Sequence, residues 1–294
     1  MKLREYLNLL RPLQWIKNLF VFAPIFFSNN LLNGKMLMQT IVVFASFCLI
    51  SSSIYCFNDI KDAAVDRLHP KKCHRPIASG RIGISEGYIL MAICALGAFL
   101  LLPLTRSSHL SLAFFIIGGY WLMNIAYTLK LKQYAIIDVM IISIGFVMRV
   151  LIGGLVANIW ISQWLVLMTF LLALFLALAK RSDEFHIYET TGDKPRTSIT
   201  GYNTAFINGA IAIVASVTMV CYIMYTMSDE VIERMGTQYL YLTSVWVLAG
   251  ILRYMQTMNV YGTSGNPTNA VATDRCLHLC IVGWLVSFFV IIYK

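Results

Sequence analysis

Nine runs of roughly twenty apolar residues, parted by short polar segments, leave this chain little choice of solvent. They fall at approximately 15–33, 37–58, 85–104, 109–128, 135–156, 162–180, 202–227, 238–257 and 275–293. About 20 apolar residues is what a helix needs to cross a hydrocarbon core ~30 Å thick. In lipid the backbone must satisfy its own hydrogen bonds, which a helix does. Only 13% of the residues are charged, about half the usual share for a soluble domain, and the mean hydropathy is +0.71. The expectation is an all-α integral membrane protein of about nine transmembrane helices, with one domain over 1–294. The first run is the weakest, broken by Pro24 and polar after Phe27. Trp15, Tyr120, Trp121, Trp160, Trp164 and Trp246 lie near expected helix ends, where amphipathic rings favour the interface. Met1 to Arg11 is polar and no small-residue cleavage site follows, so no cleaved leader is expected.

The net charge of +9 is distributed by loop. Odd-numbered loops carry Lys35, then Arg106, then no cation, then Arg234 among Asp229, Glu230 and Glu233. Even-numbered loops carry Lys61, Arg67, Lys71, Lys72, Arg75 and Arg81, then Lys130 and Lys132, then Lys180, Arg181, Lys194 and Arg196, then Arg253 and Arg275. With Lys2, Arg4, Arg11 and Lys17, this places the N-terminus and even loops in the cytoplasm and Lys294 outside. Orientation needs no acids, yet Asp59, Asp62, Asp66, Asp138, Asp183, Glu184 and Asp274 lie on that same face. A net charge of this size suits nucleic acid, anionic lipid or a phosphorylated substrate, and both signs of charge at one set of helix ends are better explained by a site; no nucleic-acid partner is expected. The seven cysteines give no framework; six sit in or beside apolar runs and read as packing residues. Cys73 with His69 and His74 lacks a second cluster and makes a poor metal site.

The strongest constellation is Asn58-Asp59-Ile60-Lys61-Asp62-Ala63-Ala64-Val65-Asp66-Arg67. Steps of three and four residues put Asp59, Asp62 and Asp66 on one helix face, where like charges repel unless a cation sits among them. Clustered carboxylates suit Mg²⁺, which takes one or two of them plus water and substrate phosphates. The following stretch, Arg67 to Arg75, offers partners for phosphate oxygens, or serves only as a topology signal. Lys180-Arg181-Ser182-Asp183-Glu184 reads as a grip on a sugar phosphate, or as a helix end stabilising its own dipole. Arg149 lies eleven residues beyond Asp138, on nearly the same helix face and on the order of 16 Å deeper. It binds phosphate or pairs structurally, and Lys17, nearer the surface, carries the same two readings.

The pattern Asn58-Asp59-x-x-Asp62-x-x-x-Asp66, followed by Arg75-Pro76-Ile77 and Gly80, resembles the first aspartate-rich motif of the UbiA superfamily of intramembrane prenyltransferases. Further segments are similar to the branch that moves phosphoribose onto polyprenyl phosphates: Arg11 to Asn18, Tyr127 to Asp138, Gly145 to Arg149, Lys180-Arg181-x-x-Glu184, Arg253-Tyr254, Pro267 and Asp274-Arg275. The resemblance runs from about residue 7 to residue 280. It implies a UbiA-like bundle with a polar cavity opening to the cytoplasmic side of the inner membrane. It also implies Mg²⁺-dependent transfer of 5-phosphoribose from phosphoribosyl diphosphate to a polyprenyl phosphate, giving polyprenyl-phosphoryl-5-phosphoribose and diphosphate. On that reading Asp59, Asp62 and Asp66 hold the metal and, with Asn58, form the catalytic set. Lys17, Arg67, Lys72, Arg75, Tyr127, Lys132, Asp138, Arg149, Lys180, Arg181, Glu184, Asp274 and Arg275 bind substrate. The second aspartate-rich motif of the aromatic prenyltransferases is absent, its place taken by Lys180 to Phe185. That disfavours the alternative, prenyl transfer from a prenyl diphosphate to an aromatic or other acceptor. A transporter, the second alternative, would show broken helices or repeats with charges at mid-membrane.

Overall fold

A computed structural model describes residues 2–70, 72–191, 197–260 and 273–292. The α-helices are α1 (Lys2–Leu10), α2 (Ala23–Phe27), α3 (Gly34–Asp66), α4 (Ile84–Leu101), α5 (Leu110–Leu129), α6 (Ile137–Ala157), α7 (Gln163–Thr191), α8 (Thr204–Thr226), α9 (Asp229–Met235), α10 (Ser244–Asn259) and α11 (Arg275–Ile292). No strand occurs among the described residues. Among the described residues seven helices are long and apolar enough to cross a membrane, and an eighth follows if α9 and the segment Tyr239–Asn259, bent by 99°, form one span. The first expected run, 15–33, is not a straight α-helix. It is built as a 3₁₀ segment, Pro12–Phe22, running into the short α2. Pro24 within the run, Pro12 just before it and the polar Ser28, Asn29 and Asn30 account for the break. The contour is still roughly 30 Å, because a 3₁₀ turn rises ~2.0 Å per residue and an α turn ~1.5 Å.

Boundaries follow local chemistry. Asn33 caps α3, its side chain accepting the Met36 N–H at 3.2 Å, and Asn203 caps α8 through the Phe206 N–H at 2.7 Å. Helix α3 runs beyond the expected residue 58 to Asp66 and stops ahead of Pro70. Helix α7 passes the expected end at 180 and continues to Thr191, so Lys180 to Glu184 lie within it. The reading of that segment as a helix end is thereby overturned.

The chain divides into two compact units, Met1–Lys132 with Gly145–Ile161, and Gln133–Ile144 with Ser162–Lys294. In the first, α3 is packed by α1, the 3₁₀ segment, α4 and α5. Its serines are buried: Ser46 donates to the Ala98 carbonyl at 2.7 Å, Ser52 to the Leu10 carbonyl, and Ser52 and Ser53 accept from Trp15 and Trp121. Small polar side chains let helices approach closely while joining them by hydrogen bonds. Around them Val43, Phe47, Ile50, Ile54, Ala98, Ile117 and Ile152 form the core. In the second unit α7 packs on α8 and α10 on α11, burying Phe175, Leu178, Ile207, Ile211, Tyr254 and Leu277.

Gly153 of α6 lies against backbone: a Cβ there would be 2.0 Å from the Val21 carbonyl oxygen, closer than at any other described glycine of the first unit. Gly209 of α8 has nothing within 4 Å of a built Cβ. Gly153→Ala is expected to destabilise the protein by about 1–3 kcal/mol or more through overpacking, while Gly209→Ala is neutral or stabilising by up to about 1 kcal/mol. Thermal unfolding of both variants in one detergent checks this.

Candidate active site

The C-terminal turns of α3 carry Asp59, Asp62 and Asp66, and each carboxylate meets a cation. Asp59, whose side chain is 2% exposed, accepts from Arg11 at 2.5 Å and from Arg75 at 3.2 Å. Arg75 also reaches Asp66 at 2.7 Å, so one guanidinium bridges two acids seven residues apart. Asp62 turns to Lys132 at 2.6 Å. Asn58 accepts a hydrogen bond from the Thr128 hydroxyl on α5. Arg67 is exposed and donates to the Ala78 carbonyl, fixing the loop that carries Arg75. Lys17, Lys72 and Tyr127 are partly buried in the same unit. Among the described residues no three of His, Cys, Asp or Glu come close enough to hold a metal alone. Cys73 instead donates to the Pro70 carbonyl, and His69 accepts the Lys72 N–H. The donor set on α3 nevertheless fits magnesium: hard oxygens on one helix, too few for a protein-only cage and sufficient once phosphate oxygens and water complete the shell.

Arg149 stands apart from these acids. It is 6% exposed, and its hydrogen bonds go to Asn18 Oδ1 at 2.8 Å, the Gly145 carbonyl at 2.7 Å and Tyr120 Oη at 2.7 Å. The rings of Phe47, Tyr120 and Phe146 lie 4.8–5.2 Å from its guanidinium carbon. Neutral acceptors and aromatic faces thus support a buried charge. Of the two readings left open, the geometry favours the structural one: Arg149 joins α6 to the 3₁₀ segment and α5.

In the second unit Asp138 and Arg181 are buried together, at 0% and 1% exposure. Arg181 Nε lies 2.8 Å from Asp138 Oδ2, and its Nη1 donates to Glu184 one turn along α7. Tyr202 donates to Asp138 Oδ1 at 2.9 Å, and Ser198 approaches Oδ2 at 3.5 Å. The Tyr202 oxygen also accepts the Ile136 N–H at 2.8 Å. Ile136 has φ 67°, a left-handed conformation unfavourable for a β-branched residue, and this bond helps to hold it. Asp138 is therefore the counter-ion of Arg181 and not an exposed substrate contact. Lys180 is partly buried beside this pair on α7. Asp274 accepts from Arg253 at 2.8 Å and 3.0 Å and from the Leu277 N–H at 2.9 Å. These donors hold its carboxyl below the usual aspartate range. Arg275 is exposed, and Pro267 lies outside the described residues.

Sequence reasoning missed Arg11 and Tyr202. Arg11 was legible as a cation of the polar N-terminus and as the start of a segment carrying the resemblance, but was given no role. Tyr202 had no sequence signal, since its partners lie 64 and 66 residues away.

Apolar helices of membrane-spanning length, with paired acids and cations at the end of one of them, describe an integral membrane protein with a charged cluster at one helix end. The model of the UbiA prenyltransferase family matches residues 20–259, and the chain belongs to that family. It is 31% identical over 293 residues to the decaprenyl-phosphate phosphoribosyltransferase of Mycolicibacterium smegmatis, covering 96% of this chain and 91% of that one. It is 28% identical over 286 residues to the protein of the same name from Corynebacterium glutamicum, covering 97% and 85%. The fold is similar to that of a UbiA homologue from Archaeoglobus fulgidus bound to GPP and Mg²⁺, with TM-score 0.71, 16% identity, and coverage of 99% and 100%.

Removing Arg181 leaves Asp138 buried without its cation. Arg181→Gln is expected to destabilise the protein by about 3–5 kcal/mol, and Asp138→Asn added to it to recover part of that loss. A double-mutant cycle on thermal stability measures the coupling; additive losses would reject it.

Proposed function

We propose that the protein transfers 5-phosphoribose from phosphoribosyl diphosphate to a polyprenyl phosphate, releasing diphosphate. Two curated relatives of nearly full-length similarity carry the name decaprenyl-phosphate phosphoribosyltransferase. The observation that carries the reading in this chain is the α3 stripe, in which Asp59, Asp62 and Asp66 are met by Arg11, Lys132 and Arg75. Such a set is matched to a polyanion arriving with a divalent cation. The family model covers residues of both compact units, which supports one functional domain.

Asp59, Asp62 and Asp66 are the residues that would hold magnesium, which when bound supplies positive charge against the diphosphate. Arg75 and Lys132, once released from the acids, hold phosphate oxygens as charge grows on the departing diphosphate. Their contribution rises toward the transition state, where ribose C1 gains positive character and the leaving oxygen gains negative charge. Asn58, set by Thr128, orients a polar group of the donor. Within the first unit, Arg67, Lys72, Lys17 and Tyr127 are further candidate substrate contacts. Within the second, Lys180, Glu184, Asp274 and Arg275 are candidates of the same kind. The acceptor phosphate is already ionised near neutral pH and requires no dedicated base. The donor is water-soluble and polyanionic, so the site is assigned to the cytoplasmic face of the inner membrane, where the cations concentrate.

Purified protein with Mg²⁺, phosphoribosyl diphosphate and polyprenyl phosphate is expected to yield a lipid-linked phosphoribose. Asp59→Asn or Asp62→Asn is expected to cut turnover by about 10²–10³-fold with folding retained. Full activity in excess chelator would reject the metal role. Activity on a prenyl diphosphate with none on phosphoribosyl diphosphate would instead establish prenyl transfer.

Orientation has its own test. Cys73 lies in the loop after α3, and with the other native thiols removed it is expected to react with an impermeant maleimide only from the cytoplasmic side. Labelling only from outside would invert the assignment.

A further inference from the structure

Asp59 differs from its neighbours on the stripe in holding two guanidinium groups, Arg11 at 2.5 Å and Arg75 at 3.2 Å. The two are not equivalent. Arg75 is also fastened to Asp66, whereas Arg11 has one carboxylate and the face of the Tyr55 ring, 5.2 Å from its guanidinium carbon. The Arg11 side chain is 26% exposed, while Asp59 is enclosed. Its backbone is left-handed, with φ 53° and ψ 59°, immediately before Pro12. A non-glycine residue pays for that conformation sterically, and such strain persists only where surrounding contacts enforce it. Three acids and three cations make the set formally neutral. A divalent ion added alone would therefore enter beside cations already in place, and room for its charge appears only when one of them leaves or an anion comes with it.

We propose that Arg11 is the exchange cation of this site: it occupies Asp59 while the carboxylate is free of metal, and transfers to a phosphate of the incoming diphosphate when Asp59 is taken. Its planar fork suits both partners, and Tyr55 supports the guanidinium in either position. Binding of metal and of diphosphate is then mutually reinforcing, each by the same factor. The inference rests on a diphosphate-bearing substrate, as proposed above, and not on which group is transferred from it.

The test uses the full chain in detergent, with Mn²⁺ as the metal and inorganic diphosphate as the anion, read by equilibrium dialysis as the Mn²⁺ retained with the protein beyond that in a protein-free Mn²⁺–diphosphate control. For the unaltered protein, diphosphate is expected to tighten Mn²⁺ binding by about tenfold or more. Arg11→Gln is expected to tighten Mn²⁺ alone by about ten- to a hundredfold, because its competitor is gone, and to weaken diphosphate in the presence of metal by about tenfold. Arg11→Lys, which keeps the charge, is expected to stay near the unaltered protein in both. Opposite signs from one substitution are what a structural role would not give. Loss of both affinities in a folded Arg11→Gln protein, or change in neither, overturns the proposal. If Arg11→Gln does not fold, the unaltered protein decides: no coupling between Mn²⁺ and diphosphate overturns it. Intact Mn²⁺ and diphosphate effects in a protein that ignores phosphoribosyl diphosphate would reject the phosphoribosyl reading and leave Arg11 in this role.

Discussion

A carboxylate enclosed by apolar helices needs a cation close by, and three of them on one helix need several. Helix α3 cannot supply these itself, because its neighbouring Lys61 lies over the Phe57 ring. The cations come instead from three other segments: Arg11 after α1, Arg75 in the loop after α3, and Lys132 after α5. Much of the surrounding architecture holds those segments in place. Arg81 bonds Glu5 and the His74 carbonyl, and Arg67 bonds the Ala78 carbonyl, so the loop 67–83 is fastened to itself and to α1. The 3₁₀ segment that follows Arg11 is in turn tied to α3 through Trp15 and Ser52.

The molecule treats its other buried charges differently. Asp138 and Arg181 neutralise each other, with Tyr202, Ser198 and Glu184 taking further hydrogen-bonding capacity. Such a buried network fixes geometry, because losing one member strands the rest. Arg149 has neutral acceptors and aromatic faces in place of an acid. The α3 stripe is the least closed of the three, since the Arg11, Arg75, Asp62 and Lys132 side chains keep 26–37% of their surface. Accessible charge that can change partners is what a site requires, and sealed charge is what a scaffold requires.

Helix class, the positions of most apolar runs and the acid stripe were legible in the sequence, because periodicity and composition carry them directly. The extra turns of α3 were legible only through the spacing of its acids, and those of α7 were not. Polar and charged residues there look like loop by composition, yet tertiary ion pairs such as Asp59 with Arg75 and Arg181 with Asp138 absorb their charge. The 3₁₀ course of Pro12–Phe22 was hidden because its residues are as apolar as those of an α-helix. Partner identities were the least legible. Residue type gives a charge, but which acid meets Arg11 depends on a backbone turn that no spacing rule announces.

Helix α3 has 33 residues, roughly 50 Å at ~1.5 Å per residue, against ~30 Å of hydrocarbon. It is thus both a span and a measuring rod. Its acids sit on the last turns of that length, at positions set by rigid backbone and not by loop conformation. On the function proposed above, a long lipid tail and a water-soluble sugar phosphate have no common solvent, and only their headgroups meet at an interface. A helix longer than the hydrocarbon is thick can hold carboxylates at that level whatever the length of the lipid chain.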